Sequence, residues 1–582
     1  MGNFTVMPRL GMTMTEGKIV KWLINEGDKV EKGDYLYEVE TDKTTLEVDS
    51  LYAGILLKQY YEEGEDVPCD LEVGYIGEAG EEVPEIEKVV VSAESKDGAA
   101  PSAAPSSSER SAPTATPKKK AAALEDDGKT YDYDLAIIGG GPGGYVAALR
   151  AAQLGVKTVV IEKDVLGGAC LNRGCIPTKA LYTSAKQWQS IQNAGEFGFE
   201  IEGAKFDFAK IMKRKDKVVK QLTGGVGALL KKAKVEVING EAKMSKEHEI
   251  SVNDKTITCK YAILATGSSP LSVLRNVADG VEIYNTDKLM GLKKLPKTMV
   301  IVGGGIIGCE IGCIMNSFGV DVTIVELLPS ILPMVDDEVA TYLARHMSKN
   351  GIKLTTGVTV DAIRKEKAGY TVIMSDDNTV KCDMVLEAVG RKVNTDAFEA
   401  LGVDMTKRGF VNVDEFMCTN LRSVYAIGDM NGICQLAHAA SEQGVAAVER
   451  LFDGKTEAEE QNIPSCVFTD IEIAYIGLTK AQAESQGIEA REFKFPFAAN
   501  GKALTMGESE GFIKVVTDPR FGEILGVHII GPEASTLIHE AAIAMRLEAT
   551  AESAGTTVHA HPTLSEAMSE AFLGSSKGAL HI

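Results

Sequence analysis

Two glycine-rich segments most constrain what this chain can fold into. The first is GGGPGG at residues 139–144 and the second is GGGIIG at residues 303–308. Each lies between an apolar β-branched run and an Ala- or Ile-rich run. Glycines at this spacing permit a tight turn, a close approach of the backbone to a pyrophosphate, and close packing of a helix on a strand. We therefore predict two dinucleotide-binding domains.

An acidic residue follows each glycine segment at the distance expected for the end of the second strand. Glu162 follows the run 159–161, and Glu326 follows the run 322–325. Carboxylates at this place accept hydrogen bonds from ribose hydroxyls, although either acid alone could be an ordinary strand-end carboxylate. The turn after Glu326 continues Leu327-Leu328-Pro329 and supplies no arginine for a 2′-phosphate. This turn favours NAD over NADP.

A pair of cysteines lies shortly after the first glycine segment. The chain has ten cysteines, and eight of them are scattered without the spacing of metal ligands. Cys170 and Cys175 are instead bracketed by glycines and lead into a helix predicted at residues 177–184, whose N-terminus would lower a thiol pKa. Zinc is a poor alternative because no second pair of ligands lies nearby. Two dinucleotides and a thiol pair imply electron transfer from thiols through a flavin to a nicotinamide.

The segment LGGACLNRGCIPTKA at residues 166–180 resembles the redox segment of the dihydrolipoamide dehydrogenases, a family of flavin disulfide reductases. The resemblance runs from about residue 131 to the C-terminus, through ATG at 265–267, AVGR at 388–391, AIGD at 426–429 and HAHPTLSEA at 559–567. Two departures are Ala169, where a threonine is frequent, and Ile471, where a proline is usual. Neither falls on a residue to which the family assigns chemistry.

The resemblance implies where the cofactors bind. FAD would lie on the first segment, with Glu162 on a ribose and Asp429 at the ribityl-pyrophosphate region, and NAD on the second, with Glu326 on a ribose. The glycines expected to hold the two cofactors are Gly139, Gly141, Gly144, Gly303, Gly305 and Gly308. The other expected contacts are Lys163, Gly168, Lys179, Ala242, Gly267, Val358, Gly390 and Ala437.

The resemblance also implies which thiols react. Cys170 would be the distal interchange thiol and Cys175 the thiol facing the flavin, with a disulfide between them in the oxidised enzyme. Lys179 would pair with Glu310 and tune the flavin electrostatically, although Glu310 alone could be a surface carboxylate.

The same resemblance implies the proton-transfer residues. His561 would take a thiol proton, and Glu566 would fix its tautomer. His559 is the competing histidine, and only the family pattern selects His561. Because the family's histidine comes from the other subunit, a homodimer is implied.

The N-terminal part carries a second resemblance, to lipoyl domains. Residues 1–80 read as short β-runs broken by Gly-Asp and Glu-Gly turns. Lys43, in the segment ETDKT at 40–44, would be the lysine that carries covalent lipoate. By spacing alone Lys43 is an ordinary solvated turn residue. Biotin carriers share this fold but usually place methionines beside the lysine, whereas Asp42 and Thr44 flank Lys43 here.

These observations predict a multidomain fold: an all-β flattened barrel, a flexible linker, then an α/β part with two Rossmann-like domains and a C-terminal α+β dimerisation domain. The expected boundaries are 1–80 for the lipoyl domain, 81–130 for an Ala/Pro/Ser-rich linker, 131–276 and 396–462 for the FAD-binding domain, 277–395 for the NAD-binding domain and 463–582 for the interface domain. The part of the linker at residues 84–129 is a coil of about 45 residues, which spans roughly 35–40 Å. A linker of this length would let the lipoyl domain move as a swinging arm, and it would serve equally as a passive spacer.

The charge of the chain restricts its partners. The formal net charge is −22, and residues 1–87 hold 7 Lys/Arg against 21 Asp/Glu, or −14 of that total. This balance argues against nucleic acid and favours docking of the lipoyl part on basic protein surfaces. The sequence contains no apolar run of about 20 residues, so we predict no membrane-spanning helix. We expect a bacterial cytoplasmic setting, in which structural disulfides are rare.

The sequence leaves the metabolic setting open. The expected partners are a dihydrolipoyl acyltransferase core and the dehydrogenase component of a 2-oxoacid or acetoin dehydrogenase complex. The alternatives are another flavin disulfide reductase, acting on mercury ion or a glutathione-like thiol, and a non-catalytic lipoyl scaffold. Mercury-reducing relatives usually carry a cysteine pair near the C-terminus, but the last cysteine here is Cys466. No metal site is expected.

Overall fold

The structure is a computed structural model of the chain. It describes residues 2–8, 16–40, 45–50, 52–69, 71–78, 80–81, 83–84, 128–454 and 462–582. The chain divides into two compact units, Met1–Lys120 and Ala121–Ile582. Lys43 and most of the predicted linker lie outside the described residues.

The first unit is all-β. Its strands are β1 (Asn3–Val6), β2 (Glu16–Trp22), β3 (Lys29–Val30), β4 (Tyr35–Glu40), β5 (Thr45–Asp49), β6 (Gly54–Gln59), β7 (Asp66–Pro68) and β8 (Glu72–Gly77). They form two four-stranded antiparallel sheets, in the orders β1-β8-β6-β3 and β5-β4-β2-β7. A core of buried apolar side chains, including Trp22, Tyr37 and Tyr61, lies within this unit.

Acidic side chains close the turns of the first unit. Asp28 Oδ2 accepts the N–H of Asn25 at 3.0 Å, and Asp34 Oδ2 accepts the N–H of Glu31 at 2.8 Å. β4 and β5 pair antiparallel with Glu40 opposite Thr45. The predicted modification site at Lys43 falls between these two strands in sequence.

The second unit begins with the elements β9 (Tyr133–Ile138), α1 (Pro142–Gln153), β10 (Thr158–Glu162), α2 (Gly168–Asn172), α3 (Cys175–Gln192), α4 (Phe208–Lys232), β11 (Glu236–Asn239), β12 (Lys243–Lys246), β13 (Glu249–Val252), β14 (Lys255–Leu264) and β15 (Ser268–Pro270). The strands β11, β10, β9 and β14 form a parallel sheet in that order. The first glycine segment therefore lies at the carboxyl end of a central strand, where ligands bind in such sheets.

A second parallel sheet follows. Its region contains β16 (Ile283–Tyr284), α5 (Thr286–Leu289), β17 (Thr298–Val302), α6 (Ile306–Ser317), β18 (Asp321–Glu326), α7 (Asp337–Lys349), β19 (Lys353–Thr356), β20 (Val360–Lys365), β21 (Tyr370–Met374), β22 (Thr379–Cys382), β23 (Met384–Glu387) and β24 (Arg391–Val393). The parallel order is β16-β23-β17-β18-β19, and β20, β21 and β22 form an antiparallel meander. The second glycine segment joins β17 to α6.

The chain then returns to the first parallel sheet before it builds the last domain. β25 (Val424–Ala426) pairs with β14, and α8 (Ala437–Phe452) packs on α1. The final elements are β26 (Ser465–Val467), β27 (Glu472–Gly477), α9 (Lys480–Ser485), β28 (Arg491–Pro496), α10 (Gly501–Met506), β29 (Phe512–Thr517), β30 (Ile524–Gly531), α11 (Ala534–Arg546), α12 (Ala551–Thr556) and α13 (Ser565–Gly574). Their antiparallel sheet has the order β26-β27-β30-β29-β28.

One apolar core joins three parts of the second unit. It contains Leu181 of α3, Ile311 of α6, Leu343 of α7 and Ile473 of β27, all buried. Because these side chains pack together, the cysteine-bearing helix has a fixed position relative to both the second parallel sheet and the last domain. The predicted fold class is confirmed.

Candidate active site

One cavity of about 1510 Å³ joins the two glycine segments and the cysteine pair. A cavity for one drug-sized ligand usually measures about 300–1,000 Å³, so this space suits more than one ligand. Most of the predicted cofactor contacts line it: Gly139, Gly141, Glu162, Lys163, Gly168, Lys179, Ala242, Gly267, Gly303, Gly305, Glu326, Val358, Gly390, Asp429 and Ala437. Gly144 and Gly308 do not line the cavity.

The third glycine of each segment instead lets the helix approach its strand. A Cβ atom at Gly144 would lie 1.9 Å from the carbonyl oxygen of Gly139, and a Cβ atom at Gly308 would lie 1.9 Å from that of Gly303. Gly139 and Gly303 both have φ of +110°, in the region that favours glycine. The two segments therefore repeat the same strand–turn–helix geometry.

The two strand-end acids brace the glycine loops. Glu162 Oε2 accepts the N–H of Gly140 at 2.7 Å, and Glu326 Oε2 accepts the N–H of Gly304 at 2.5 Å. Burial raises the pKa of Glu162, and the hydrogen bond from Gly140 opposes that rise. Since a carboxylate has about four acceptor positions, both acids keep capacity for ribose hydroxyls.

At each of the two glycine segments, the cavity wall fits a pyrophosphate. α1 and α6 begin after Gly141 and Gly305, without a side-chain cap and without an acid in the first turn. Open N–H groups at a helix N-terminus attract phosphate. The nearest heavy atom to a Cβ built on Gly141 is 3.8 Å away, and a Cβ on Gly305 would meet nothing within 4 Å. The residues present therefore fit FAD and NAD.

The cysteines lie on two short-linked helices at the cavity wall. Cys170 belongs to α2, and Cys175 is the first residue of α3, two residues earlier than the predicted helix start. Asn172, which lies between the two cysteines, donates through Nδ2 to the carbonyl oxygens of Leu166 at 3.1 Å and Gly168 at 2.9 Å. These bonds fix the segment that carries Cys170. Both cysteines are thiols in this structure.

The two thiols differ in acidity. A hydrogen bond from Cys170 and, to a smaller extent, the Lys179 ammonium lower the pKa of Cys175 to about 7 against the opposing effect of burial. The hydrogen bond that Cys170 shares with Cys175, together with burial, raises the pKa of Cys170. Cys175 is therefore the thiol that is held as a thiolate.

Lys179 and Glu310 are in contact beside this pair. Lys179 Nζ lies 2.8 Å and 2.9 Å from the two carboxylate oxygens of Glu310, which is buried in α6. Glu310 also accepts the N–H of Phe468 at 3.0 Å, and the Lys179 ammonium lies 4.5 Å from the centroid of the Phe468 ring. The ammonium is thus held in place on the cavity wall.

The structure distinguishes the two candidate histidines. His561 Nδ1 lies 2.9 Å from Glu566 Oε1, and the His561 side chain is 79% exposed. The other Glu566 oxygen accepts the N–H of Thr563 at 2.8 Å. His559 instead uses both ring nitrogens, on Thr557 O at 2.7 Å and Glu540 Oε2 at 3.2 Å. His559 is a structural bridge, and His561 has an exposed face.

His561 does not line the cavity that holds the cysteines in this single chain. Its dyad lies in the last domain, at the start of α13. Large apolar side chains in that domain are exposed, among them Ile543, Leu547, Val558 and Leu580. Large exposed apolar side chains of this kind are typical of a surface that a second subunit covers.

Sequence reasoning missed the residues that hold Asp429. The Ser268 hydroxyl donates to Asp429. Arg391 Nε donates to Ser268 Oγ at 2.7 Å, and a terminal guanidinium nitrogen of Arg391 donates to the Ser268 carbonyl oxygen at 2.6 Å. Arg391 Nε lies 3.7 Å from Asp429. The motif AVGR at 388–391 is visible in the sequence, but a motif along one strand does not show that its arginine reaches a second domain.

Glu472 follows Ile471, the position where a proline is usual, and both of its carboxylate oxygens accept hydrogen bonds. Glu472 is buried and accepts the Tyr182 hydroxyl at 3.1 Å on one oxygen. The other oxygen accepts the N–H and hydroxyl of Ser535, at 3.1 Å and 2.7 Å. Glu472 therefore links α3 to α11, and no sequence signal indicated this link.

Among the residues that the structure describes, no group of three or more His, Cys, Asp or Glu side chains is arranged to hold a metal ion. Within the same residues, no helix has the length and apolar character needed to cross a membrane.

Three stretches of the chain match known protein families. Residues 133–444 match the family "Pyridine nucleotide-disulphide oxidoreductase", residues 463–572 match its dimerisation domain, and residues 5–76 match "Biotin-requiring enzyme". Two relatives named dihydrolipoyl dehydrogenase, from Bacillus subtilis and Thermus scotoductus, are each 40% identical. Those alignments cover 76% and 77% of this chain, and 96% and 99% of the relatives.

A solved structure agrees in fold. LpdA from Mycobacterium tuberculosis superposes with a TM-score of 0.70 at 27% identity, over 75% of this chain and 98% of that one.

Proposed function

The chain belongs to the pyridine nucleotide-disulphide oxidoreductase family, and we propose that it oxidises protein-bound dihydrolipoyl groups to lipoyl groups with reduction of NAD⁺ to NADH. The observation that carries this function is the Cys170–Cys175 pair on the wall of a cavity that both dinucleotide segments share. FAD, when bound there, supplies a two-electron carrier between the dithiol and the nicotinamide. The relatives named dihydrolipoyl dehydrogenase support the dihydrolipoyl group as the substrate.

The chain's own residues perform the thiol steps. His561 takes the proton of one dihydrolipoyl thiol, and the resulting thiolate attacks Cys170 Sγ of the Cys170–Cys175 disulfide. The S–S bond breaks, Cys175 leaves as a thiolate, and a mixed disulfide forms on Cys170. The second substrate thiol then displaces Cys170 and closes the lipoyl ring: His561 gives its proton to the departing Cys170 sulfur and takes the proton of the second substrate thiol. Cys170 is left as a thiol and Cys175 as a thiolate.

Neighbouring groups favour this direction of cleavage. The lowered pKa of Cys175, to about 7, makes Cys175 the better leaving group. Lys179 holds positive charge near that thiolate, and Glu310 fixes the ammonium. Glu566 orients the His561 ring so that its Nε2 faces the substrate proton.

The active enzyme is a homodimer in this proposal. A dimerisation domain matches residues 463–572. The His561–Glu566 dyad lies in that domain and outside the cavity of its own chain. The histidine of one subunit would therefore serve the thiols of the other.

The setting of the enzyme follows from its relatives. We infer that it works with a dihydrolipoyl acyltransferase core and a dehydrogenase component, in a 2-oxoacid or acetoin dehydrogenase complex of a bacterial cytoplasm. The relatives reported above come from bacteria. Identifying the proteins that co-purify with the chain tests which complex is served.

A substrate comparison tests the function against its alternatives. Purified chain should carry a flavin and should reduce NAD⁺ with dihydrolipoamide, but should not turn over glutathione disulfide or mercuric ion at a comparable kcat/KM. A non-catalytic lipoyl scaffold would carry no flavin. Preference for either rival substrate, or colourless protein, would contradict the proposal.

The nicotinamide preference gives a first prediction. NADH should be preferred strongly to NADPH, because Glu326 would repel a 2′-phosphate and the turn 327–329 contains no arginine. The ratio of kcat/KM for the two reductants measures this preference. Glu326→Ala should narrow the ratio, whereas equal values in the unaltered enzyme would show that Glu326 does not select the cofactor.

The lipoyl arm gives a second prediction, on a residue outside the described part of the chain. Lys43 should carry lipoate, since it falls within residues 5–76, and the match of these residues to the biotin and lipoyl carrier family supports this modification. Lys43→Arg keeps the charge but cannot be acylated, so turnover of free dihydrolipoamide should stay unchanged and flux through the assembled complex should fall. Intact-mass measurement on protein from lipoate-producing cells checks the modification. An unmodified Lys43 in a fully active complex would reduce this domain to a docking module.

A further inference from the structure

Helix α4 concentrates positive charge in an acidic chain. Its 25 residues contain eight Lys or Arg and one Asp, whereas the whole chain has a net charge of −22. Nothing in the proposed mechanism uses these side chains. A helix of this length spans about 37 Å, which is the scale of a protein-docking surface.

Four of these lysines form one exposed face. Lys210, Lys213, Lys217 and Lys220 recur at spacings of three and four residues, so they follow one side of the helix, and all four are exposed. They are called the basic face below. The opposite side of α4 buries Met212, Val226 and Leu230.

The charges of the basic face are largely uncompensated. Lys210 lies 3.8 Å from Asp207, and both side chains are exposed. Among the residues that the structure describes, Lys213, Lys217 and Lys220 form no ion pair within 4.0 Å. The single acid of the helix, Asp216, pairs with the buried Lys215 at 2.6 Å. The face therefore presents a positive potential to solvent.

The basic face lies next to the elements that carry the thiols. α4 packs against α2, which bears Cys170, and against α3, which begins with Cys175. Arg214 donates to the carbonyl oxygen of Ala180 in α3 at 3.1 Å. Packed helices have axes about 8–10 Å apart, so a domain bound on α4 is held close to the redox helices.

The sequence supplies an occupant of opposite charge. Residues 1–87 carry −14 of the net −22, which leaves −8 for the rest of the chain. Residues 5–76 of this acidic part match the domain family to which lipoyl carriers belong. Nucleic acid would also be attracted by lysines, but it would be repelled by the remainder of the chain.

We propose that the basic face of α4 docks the acidic N-terminal domain of a second copy of this chain and so delivers its lipoyl group to the Cys170–Cys175 pair. This inference rests on the proposed function. In the direction convenient for a test, NADH and one proton reduce the lipoyl disulfide to a dithiol, and NAD⁺ is released.

The test separates the enzyme from the carrier. The enzyme is the full chain with Lys43→Arg, which bears no lipoate, and the carrier is the full chain with Cys175→Ser, lipoylated on Lys43 as verified by intact mass. The rate at which NADH produces dihydrolipoyl thiols on the carrier is followed by alkylation and mass measurement of the Lys43 peptide. Reduction of free lipoamide is measured with the same enzyme.

The enzyme variant K213E/K217E/K220E should slow carrier reduction about ten-fold at low ionic strength, within the 10–10³ range of electrostatic steering. The loss should shrink as salt shortens the screening length. Reduction of free lipoamide should stay unchanged. The milder variant K213Q/K217Q/K220Q should give a smaller loss in the same direction, and it replaces the first if charge reversal prevents folding.

A matched control changes the same amount of charge elsewhere. Lys243, Lys255 and Lys367 are exposed and lie outside α4, so K243E/K255E/K367E should leave carrier reduction near that of the parent enzyme. Equal slowing by both triple variants, or by neither, would overturn the docking face. The docking face would also be overturned if K213E/K217E/K220E lost binding to a DNA oligonucleotide but still reduced the carrier at the rate of the parent enzyme. Failure of the parent enzyme on free lipoamide would instead contradict the proposed function.

Discussion

Replacing His561 by Gln should slow the oxidation of free dihydrolipoamide by at least ~100-fold, the usual scale for loss of a positioned general base. The structure gives the physical reason. His561 Nδ1 contacts Glu566 at 2.9 Å, and the ring is 79% exposed, so Nε2 can meet a substrate thiol. Glutamine has no group that titrates near neutral pH. Steady-state kinetics with dihydrolipoamide and NAD⁺ measures the loss.

Two comparisons show that the loss concerns the thiol step. NADH oxidation by an artificial one-electron acceptor bypasses the thiols, so His561→Gln should affect it far less. His559→Gln should be mild, because the His559 ring bridges Thr557 and Glu540 rather than facing solvent. A severe loss at His559 with little loss at His561 would show that the other histidine is the base.

Replacing Cys175 by Ser should abolish turnover of dihydrolipoamide while the protein keeps its flavin. Cys175 is the acidic thiol of the pair, and serine cannot form the disulfide. In the unaltered enzyme, partial reduction should give a long-wavelength absorbance band from a thiolate beside the flavin. That band should be missing in Cys175→Ser, and its persistence there would show that another thiol faces the flavin.

The same band has an expected pH dependence. The pKa of Cys175 is lowered to about 7, so the thiolate predominates above that pH and is protonated as the pH falls through it. The band should therefore weaken below about pH 7. Lys179→Met removes an ammonium that lowers this pKa, so it should move the midpoint of the titration to higher pH.

The parts of the fold that were predictable from sequence are those with local signals. The glycine segments predicted both strand–turn–helix units, and the structure has them as β9–α1 and β17–α6. The predicted start of α3 at residue 177 followed Pro177, which is typical of a first helical turn. The helix begins instead at Cys175, directly after Gly174, so the thiol itself occupies the N-terminal position.

The contacts that sequence could not predict join residues far apart in the chain. Arg391 holds Ser268 from 123 positions away, and Tyr182 reaches Glu472 across 290 positions. The His559 ring contacts Glu540 of α11, and this contact distinguishes His559 from His561. Such partners depend on how the domains pack, and no periodicity or motif reports that packing from one sequence.

The most direct test of the account follows the redox state of the two cysteines during a single turnover. Anaerobic enzyme is treated with one equivalent of dihydrolipoamide, with or without NAD⁺, and the peptide that contains Cys170 and Cys175 is alkylated and weighed. Without NAD⁺, both cysteines should become alkylated. With NAD⁺, NADH should form and the peptide should return to the unalkylated disulfide. If both cysteines stayed unalkylated without NAD⁺, in enzyme that forms NADH when NAD⁺ is added, the account would be contradicted.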